Sequence, residues 1–213
     1  MIYVQANTIR AAARQAFYDL YKGASENESD LSMWYEDTAA LQALTVDSSS
    51  PGFSINDAGF CYVETYSNYV PTVHPSVIAL EEKHYTTLLL TSGRVSAIVK
   101  HLSKYPDSRR ALLSGWSPRF YTVNREAPCL TALYFRIRQG RLDVHAHARA
   151  CNAYTLLLLD LQVVAAVQEL VAHKLMVPTG IQTQYIDSLH FYRQDREAII
   201  QQLTYMATTP AWA

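Results

Sequence analysis

Apolar residues recur at helical spacing in several parts of the chain. In residues 8–23, TIRAAARQAFYDLYKG, they lie three and four positions apart, and Gly23 is a typical helix terminator. GRVSAIVKHLSKYP predicts a second helix that ends near Tyr105, because Pro106 disfavours helix in the residue before it. A third helix is predicted over roughly Asp160 to Lys174, and a short helix is expected to close the chain. The core stripe of the third helix would consist of Val163, Val164, Val167, Leu170 and Val171.

Period-two alternation, which is typical of strands, is clearest in LYFRIR and RLDVHAHAR. A turn at Gln139–Gly140 separates these segments and predicts a hairpin. One face of the second segment would carry Leu142, Val144, Ala146 and Ala148, and the other would carry Asp143, His145, His147 and Arg149. FCYVETYSNYV, IQTQYIDSLHFY and a buried ALLSGW are predicted as further strands, whereas residues 24–47 are polar without a clear pattern. We therefore expect one α/β (α+β) domain over residues 1–213, with helices packed on a mixed, mainly antiparallel sheet.

Composition and charge narrow the classes of partner. The 213 residues include 18 lysines and arginines against 19 aspartates and glutamates, so overall charge favours neither a nucleic-acid polymer nor an anionic membrane. The cysteines, Cys61, Cys129 and Cys151, form neither a disulfide framework nor a zinc-binding spacing. Asp160 and other polar residues interrupt the most apolar stretch, which argues against a membrane span. We expect a cytoplasmic protein, and small anions remain possible ligands of a local arginine cluster.

Cys129 is the first candidate for chemistry, because it follows a proline at the entrance to a strand. A nucleophilic cysteine needs nearby positive charge to hold its thiolate. Arg149 at a strand end, and Arg109 and Arg110 in PDSRR, could supply that charge, and a guanidinium also suits phosphate. If Arg109 and Arg110 lay on a strand, they would point to opposite faces and reach different partners. The alternatives are a cysteine buried as a small hydrophobe and a set of solvated arginines.

Two further groups of polar residues could bind a ligand. Asp143, His145 and His147 share one strand face and could ligate a metal, but we favour an ordinary polar sheet face and predict no metal site. His190 and Tyr192 lie two positions apart on a strand, hence on one face, and both can bond to a hydroxyl.

Asp160 is the one carboxylate within YTLLLLDLQVVAAVQ. A charge between apolar runs is costly to bury unless a partner compensates it. A helix N-cap is one interpretation, since aspartate often fills that position. Capping would not explain why the carboxylate lies between two apolar runs, so a ligand is the second interpretation.

Taken together, the segments from Gly93 to Tyr192 resemble the thymidylate synthase superfamily. PDSRR, followed by an apolar strand, Trp116 and APC, is similar to that family's arginine pair and catalytic cysteine. RACN is similar to its RSxD phosphate motif, and HFY is similar to its HxY pair. On this resemblance Cys129 is the nucleophile, and the substrate is bound by Arg109, Arg110, Arg149, Ala150, Asn152, Asp160, His190 and Tyr192.

The resemblance implies a thymidylate synthase-like fold and a homodimer in which Arg109 and Arg110 reach the partner's phosphate site. It implies a pyrimidine nucleoside monophosphate as substrate, 5,10-methylenetetrahydrofolate as one-carbon donor, and addition of Cys129 to C6 of the base. Asp160 replaces an asparagine of the synthases, and Leu130 replaces a histidine; both are similar to the dCMP and CMP hydroxymethylase branch. That branch makes a 5-hydroxymethylcytosine nucleotide.

Some positions are less well matched to the family. Glu64 is assigned as its catalytic glutamate, with Glu81 and Glu82 as alternatives, and Leu156 replaces a glycine of the folate site. Ala150, in place of the motif serine, would leave room for a ribose 2′-hydroxyl. Two alternatives therefore stay open: a methylating synthase or other C5-transferase acting on a pyrimidine nucleotide, and a nucleotide-binding module without catalysis.

Overall fold

One mixed sheet lies at the centre of the computed structural model, which describes residues 1–23, 33–44, 53–56, 59–62, 93–117 and 127–208. Its strands are β1 (Ile2–Ala6), β2 (Met33–Ala43), β5 (Leu112–Ser114), β6 (Leu130–Arg138), β7 (Arg141–Ala148), β8 (Cys151–Asn152) and β9 (Thr179–Tyr192). Their order is β1-β2-β9-β7-β6-β5, and β8 pairs with β9. A separate antiparallel pair is formed by β3 (Phe53–Asn56) and β4 (Gly59–Tyr62).

Helices accompany the sheet. Those in the described parts of the chain are α1 (Ile9–Gly23), α2 (Arg94–Lys104), α3 (Leu157–Leu175) and α4 (Arg196–Thr208), the last preceded by a 3-10 turn at Arg193–Asp195. The ends of α1 and α2 agree with the positions predicted from Gly23 and Pro106. The predicted α/β fold class, with helices packed on a mixed sheet, is confirmed.

The β6–β7 hairpin follows the predicted alternation. Arg138 lies opposite Arg141, and the two turn residues, Gln139 and Gly140, both have positive φ, at 51° and 73°. Such a turn matches the twist of the flanking strands. The apolar side chains predicted for one face of β7 are all buried: Leu142, Val144, Ala146 and Ala148. This face packs toward α3, and we call the opposite face of the sheet the outer face.

Helix α3 crosses the core and is buried on nearly all sides. It lies against β7 and β9 and also contacts α1 and α2. It begins at Leu157, before the predicted start at Asp160, because the run of leucines is helical although it lacks an amphipathic period. A residue with left-handed backbone, Met176 at φ 56°, ends it.

Some predictions of elements need correction. The polar residues 24–47 contain strand β2, whose ladder partners β1 and β9 are distant in sequence. ALLSGW forms an edge strand and is not buried throughout, since Leu112 is 55% exposed. The start of FCYVETYSNYV lies in β4, and the remainder lies outside the described residues. Among the helices of the described chain, none has the length and apolar character to cross a membrane.

Candidate active site

The segment carrying Cys129 is held by Arg149. Cys129 precedes β6 and Arg149 follows β7, and these ends meet because Leu130 pairs with Ala148 across the antiparallel ladder. The Arg149 backbone N–H donates to the Cys129 carbonyl at 2.9 Å. Its side chain donates from Nε to the Pro128 carbonyl at 3.2 Å and from Nη2 to the Ala127 carbonyl at 2.9 Å.

This arrangement suits a reactive thiol next to an anion site. Cys129 is partly exposed at the start of its strand, so the interpretation as a fully buried hydrophobe is wrong. The Arg149 guanidinium brings a positive charge to the segment that carries this cysteine. Arginine carries five N–H donors, and the two carbonyl bonds of Arg149 leave donors for an oxyanion.

Strand β8 joins the RACN motif to the strand that carries the histidine–tyrosine pair. Asn152 lies opposite His190, and the Ala153 N–H donates to the His190 carbonyl at 2.9 Å. The Asn152 side-chain oxygen accepts from the Tyr154 N–H at 3.0 Å, so this asparagine shapes the turn that leads into α3. The structure therefore brings the RACN motif and His190 together.

The ring of His190 is fixed by its own strand. Nδ1 lies 3.1 Å from the Ser188 carbonyl, so it carries the proton and Nε2 is the acceptor. The Ser188 hydroxyl lies 3.3 Å from Nδ1 and donates to Glu36 Oε1 at 2.5 Å. The ring of Tyr192 stands 4.8 Å from that of His190, in an edge-to-face arrangement. The pair thus presents an imidazole and a phenol side by side, which can hold one hydroxyl between them.

Asp160 is buried in the first turn of α3, with an exposed fraction of only 3%. Its backbone N–H donates to the Leu156 carbonyl at 2.8 Å, and Leu156 is the N-cap. The interpretation of Asp160 as the helix cap is therefore wrong. Its carboxylate lies near the positive end of the helix dipole, which stabilises a negative charge, and the leucines on either side are buried.

Arg109 and Arg110 lie on an ordered turn after α2. The Ser108 hydroxyl accepts from the Arg110 N–H at 3.1 Å and lies within hydrogen-bond distance of His101 Nε2, at 2.6 Å. The arginines precede β5, so the expectation that a strand points them to opposite faces is wrong. Together with Lys104 they line an exposed cavity of about 670 Å³. Neither Cys129 nor Arg149 lies among the described residues that line it.

The three polar residues on β7 have separate partners. Asp143 accepts from the Ile181 N–H at 2.8 Å, and the ring of His145 lies 6.1 Å from that of Tyr134. His147 lies 2.7 Å from the Thr131 hydroxyl and 3.1 Å from Asp187. Within the described parts of the chain, no group of three or more His, Cys, Asp or Glu side chains could hold a metal ion.

Several site residues could not be located from the sequence, and some predictions fall outside the structure. Glu64, Glu81 and Glu82 lie outside the described residues, so the catalytic glutamate stays a prediction. Glu36 and His101 were missed because Glu36 stands in the polar stretch without a pattern and the bond of His101 to Ser108 crosses a turn.

Comparison with known proteins identifies the family of the chain. The family model described as Thymidylate synthase matches residues 79–211, which is more than half of the chain. The chain belongs to the thymidylate synthase family. The matched span includes every site residue that we predicted except Glu64, and the predicted superfamily is therefore confirmed.

Individual members of the thymidylate synthase family match only in part. Over 103 residues the chain is 32% identical to a protein of Methanopyrus kandleri strain AV19 named "Putative thymidylate synthase", covering 48% of this chain and 49% of that protein. The chain thus spans about half the length of this curated relative. It also overlaps the crystal structure of thymidylate synthase from T4 phage with a TM-score of 0.47 and 20% identity, covering 51% of this chain and 38% of that one.

Proposed function

We propose that this protein transfers a one-carbon unit to C5 of a cytosine nucleoside monophosphate, CMP or dCMP, and releases the 5-hydroxymethyl nucleotide. Membership of the thymidylate synthase family supports C5 transfer on a pyrimidine nucleotide. The observation that carries the choice of cytosine is Asp160, a buried carboxylate among leucines at the start of α3.

A carboxylate at this position suits cytosine better than uracil. Cytosine presents an amino donor at N4 and an acceptor at N3, whereas uracil presents an N3–H donor and an O4 acceptor. One oxygen of Asp160 accepts from the amino group, and a proton shared with N3 completes the pair. Burial at 3% exposure strengthens this bond and excludes competing water. The shared proton also draws electron density from the ring and eases addition at C6.

The chain's own residues would drive the covalent steps. The Cys129 thiolate adds to C6 of the pyrimidine, and the electron pair of the 5,6 double bond then attacks from C5. 5,10-methylenetetrahydrofolate, when bound, supplies the one-carbon unit. Loss of the C5 proton to a carboxylate, which we predict to be Glu64, would break the bond between the one-carbon unit and its donor, so that tetrahydrofolate leaves and an exocyclic methylene group remains on C5. Water adds to that methylene as the thiolate leaves C6, which restores the double bond.

The nucleotide would be held along the ends of the central strands. Arg149 and the adjoining Ala150 and Asn152 bind the phosphate side, and the Nε2 acceptor of His190 with the Tyr192 hydroxyl binds a sugar hydroxyl. Asn152 pairs with His190 on β9, which supports one continuous pocket. The exposed Arg109 and Arg110 line a cavity that does not include Arg149. This separation supports a homodimer in which the two arginines bind the phosphate in the site of the other subunit.

Leu156 stands at a glycine of the family's folate site, so a bound folate would lie beside its side chain. Its backbone has φ −117°, so this position does not require glycine. Part of the Leu156 side chain packs against the hydrophobic core. A bound folate would contact only the part of this side chain that the core leaves uncovered.

The proposal is tested by release of tritium from C5 of CMP, dCMP and dUMP, with and without 5,10-methylenetetrahydrofolate. We expect folate-dependent release from a cytosine nucleotide without a rise in absorbance at 340 nm, because no dihydrofolate forms. Cys129→Ala should abolish release, whereas the matched variant Cys151→Ala should retain it, since Cys151 is buried within β8. Release from dUMP alone would exclude the cytosine assignment. Nucleotide binding without release would instead identify a binding module.

A further inference from the structure

A β-bulge interrupts β9 just before the histidine–tyrosine pair. Between Ile186 and Leu189, which both pair with β2, this strand has two residues, whereas the facing stretch of β2 has only Thr38. The Thr38 hydroxyl donates to the Asp187 carbonyl at 3.1 Å and ties the bulge to its neighbour. The extra residue shifts the alternation of side chains, so Ile186 and Leu189 are both buried in the core although they lie three positions apart. Ser188 therefore shares the outer face with the histidine–tyrosine pair.

Glu36 stands directly across the ladder from His190, so these two side chains also share a face. The Ser188 hydroxyl lies between them, 2.5 Å from Glu36 Oε1 and 3.3 Å from His190 Nδ1. Glu36 and Ser188 are partly buried, and His190 is only 3% exposed. Because burial limits competition from water, the three side chains form a connected chain of hydrogen bonds.

The direction of these hydrogen bonds is set by Glu36. A carboxylate can only accept, so the Ser188 hydroxyl donates to it and offers its lone pairs to His190. The Ser188 backbone carbonyl, 3.1 Å from Nδ1, is a second acceptor. Two acceptors at Nδ1 favour the tautomer that carries its proton there and leaves Nε2 unprotonated. Without the carboxylate, the hydroxyl could turn and donate to Nδ1, and this preference would weaken.

We propose that Glu36 is a positioning residue for the nucleotide, which acts through the Ser188 hydroxyl to keep His190 Nε2 an acceptor for a sugar hydroxyl. This inference rests on the proposed function, in which His190 and Tyr192 bind that hydroxyl. When the sugar hydroxyl donates to Nε2, its oxygen is left to accept from the Tyr192 hydroxyl, so the pair selects a group that can both donate and accept.

Isothermal titration calorimetry of the full chain with dCMP and with 2′,3′-dideoxy-CMP, which lacks the sugar hydroxyl, tests the proposal. Glu36→Met removes the acceptor at similar volume and should weaken dCMP binding about five-fold, without changing the affinity for the dideoxy nucleotide. Glu36→Gln retains a carbonyl oxygen and should keep most of the affinity for dCMP. Glu197→Met, the same exchange at an exposed position of α4, should change neither affinity. Equal weakening for both nucleotides would overturn the proposal, since Glu36 would then support only the fold.

Ser188→Ala tests the route by which Glu36 acts, and it replaces Glu36→Met if that variant does not fold. It should weaken dCMP binding to a similar extent. Combining Ser188→Ala with Glu36→Met should weaken binding no further than either change alone, because both break the same connection. Additive losses would overturn the proposal, since Glu36 would then act without Ser188.

Long-range proton–nitrogen NMR spectra test the same arrangement in the absence of nucleotide. They show which ring nitrogen of His190 carries the proton. We expect Nδ1 in the wild type and in Glu197→Met, and a mixture of both tautomers in Glu36→Met and Ser188→Ala. An unchanged tautomer in these two variants would overturn the proposal. A changed tautomer in a protein that binds no pyrimidine nucleotide would support the positioning of His190 by Glu36 and would refute the proposed function.

Discussion

Asp160 shows how the surroundings of one side chain set its chemistry. Exposed on a helix surface, this carboxylate would be solvated and unselective. At 3% exposure, with buried leucines on either side, its ionisation has to be compensated by the helix dipole and by whatever bonds to it. Selectivity for the base therefore depends on the hydrogen bonds that the carboxylate oxygens make. In asparagine an amide nitrogen replaces one of these oxygens, so that one of the two atoms donates instead of accepting.

Asp160→Asn should shift the base preference from cytosine toward uracil. An asparagine accepts from uracil N3–H and donates to O4, whereas it leaves the cytosine pair incomplete. We expect the ratio of kcat/KM for dCMP over dUMP to fall by about ten-fold or more, measured by tritium release from C5. Asp19→Asn, at a partly exposed position of α1, is the matched control and should not change the ratio. A folded Asp160→Asn protein with an unchanged ratio would contradict the proposed role.

Strand β9 links the site to the core. Its central residues Gln182 and Gln184 lie opposite Val144 and Ala146 of β7 and so face the core beneath α3. Gln182 Nε2 donates to the Leu161 carbonyl at 2.9 Å, which connects the strand to the helix that carries Asp160. Gln184 is fully buried, and neither of its amide atoms has a hydrogen-bond partner in the described structure. A buried amide without partners costs stability.

Gln184→Met should raise the free energy of unfolding by about 1–2 kcal/mol, because it removes orphaned polar atoms at nearly constant volume. Gln182→Met is the matched variant on the same face and should give no such gain, since it also removes the bond to Leu161. Urea unfolding followed by circular dichroism measures both. A loss of stability in Gln184→Met would show instead that internal water binds this amide.

For the whole molecule, the separation of the charged groups is the main feature. Arg149 bonds to the segment that carries Cys129, whereas Arg109 and Arg110 lie on a turn ordered by Ser108 and line a cavity of their own. Under the proposed function, a complete phosphate site therefore needs Arg149 together with Arg109 and Arg110, which line a separate cavity. A two-fold dimer meets this need, because each subunit can complete the site of the other.

Mixing two inactive variants tests this arrangement. Cys129→Ala lacks the nucleophile, and Arg109→Gln/Arg110→Gln lacks the arginines offered to the partner. After equal mixing and refolding, half the dimers are mixed and each has one intact site, so activity should recover to about a quarter of wild type. Each variant mixed with wild type alone is the control. No recovery, with heterodimers shown by mass spectrometry, would mean that the arginines act within their own subunit.

The parts of this protein that sequence predicts are those determined by local interactions. Gly23 and Pro106 mark the ends of α1 and α2, and the alternation in RLDVHAHAR predicts the buried face of β7. These features depend on backbone preferences and on periodicity within a few residues. The motifs that resemble the family likewise indicated Cys129, Arg149, Asn152 and His190, because each lies within a short recognisable segment.

The rest depended on contacts between distant segments. Strand β2 lacks a pattern of its own and forms only because β1 and β9 complete its backbone hydrogen bonds. The sequence could not place Glu36 beside Ser188, 152 positions away, or turn Asp143 from Arg136 to the Ile181 N–H. The sequence by itself determined the local helices and strands and the kinds of side chain at the candidate site. Only the tertiary structure decided their partners, because burial and pairing are set by how the strands and α3 pack together.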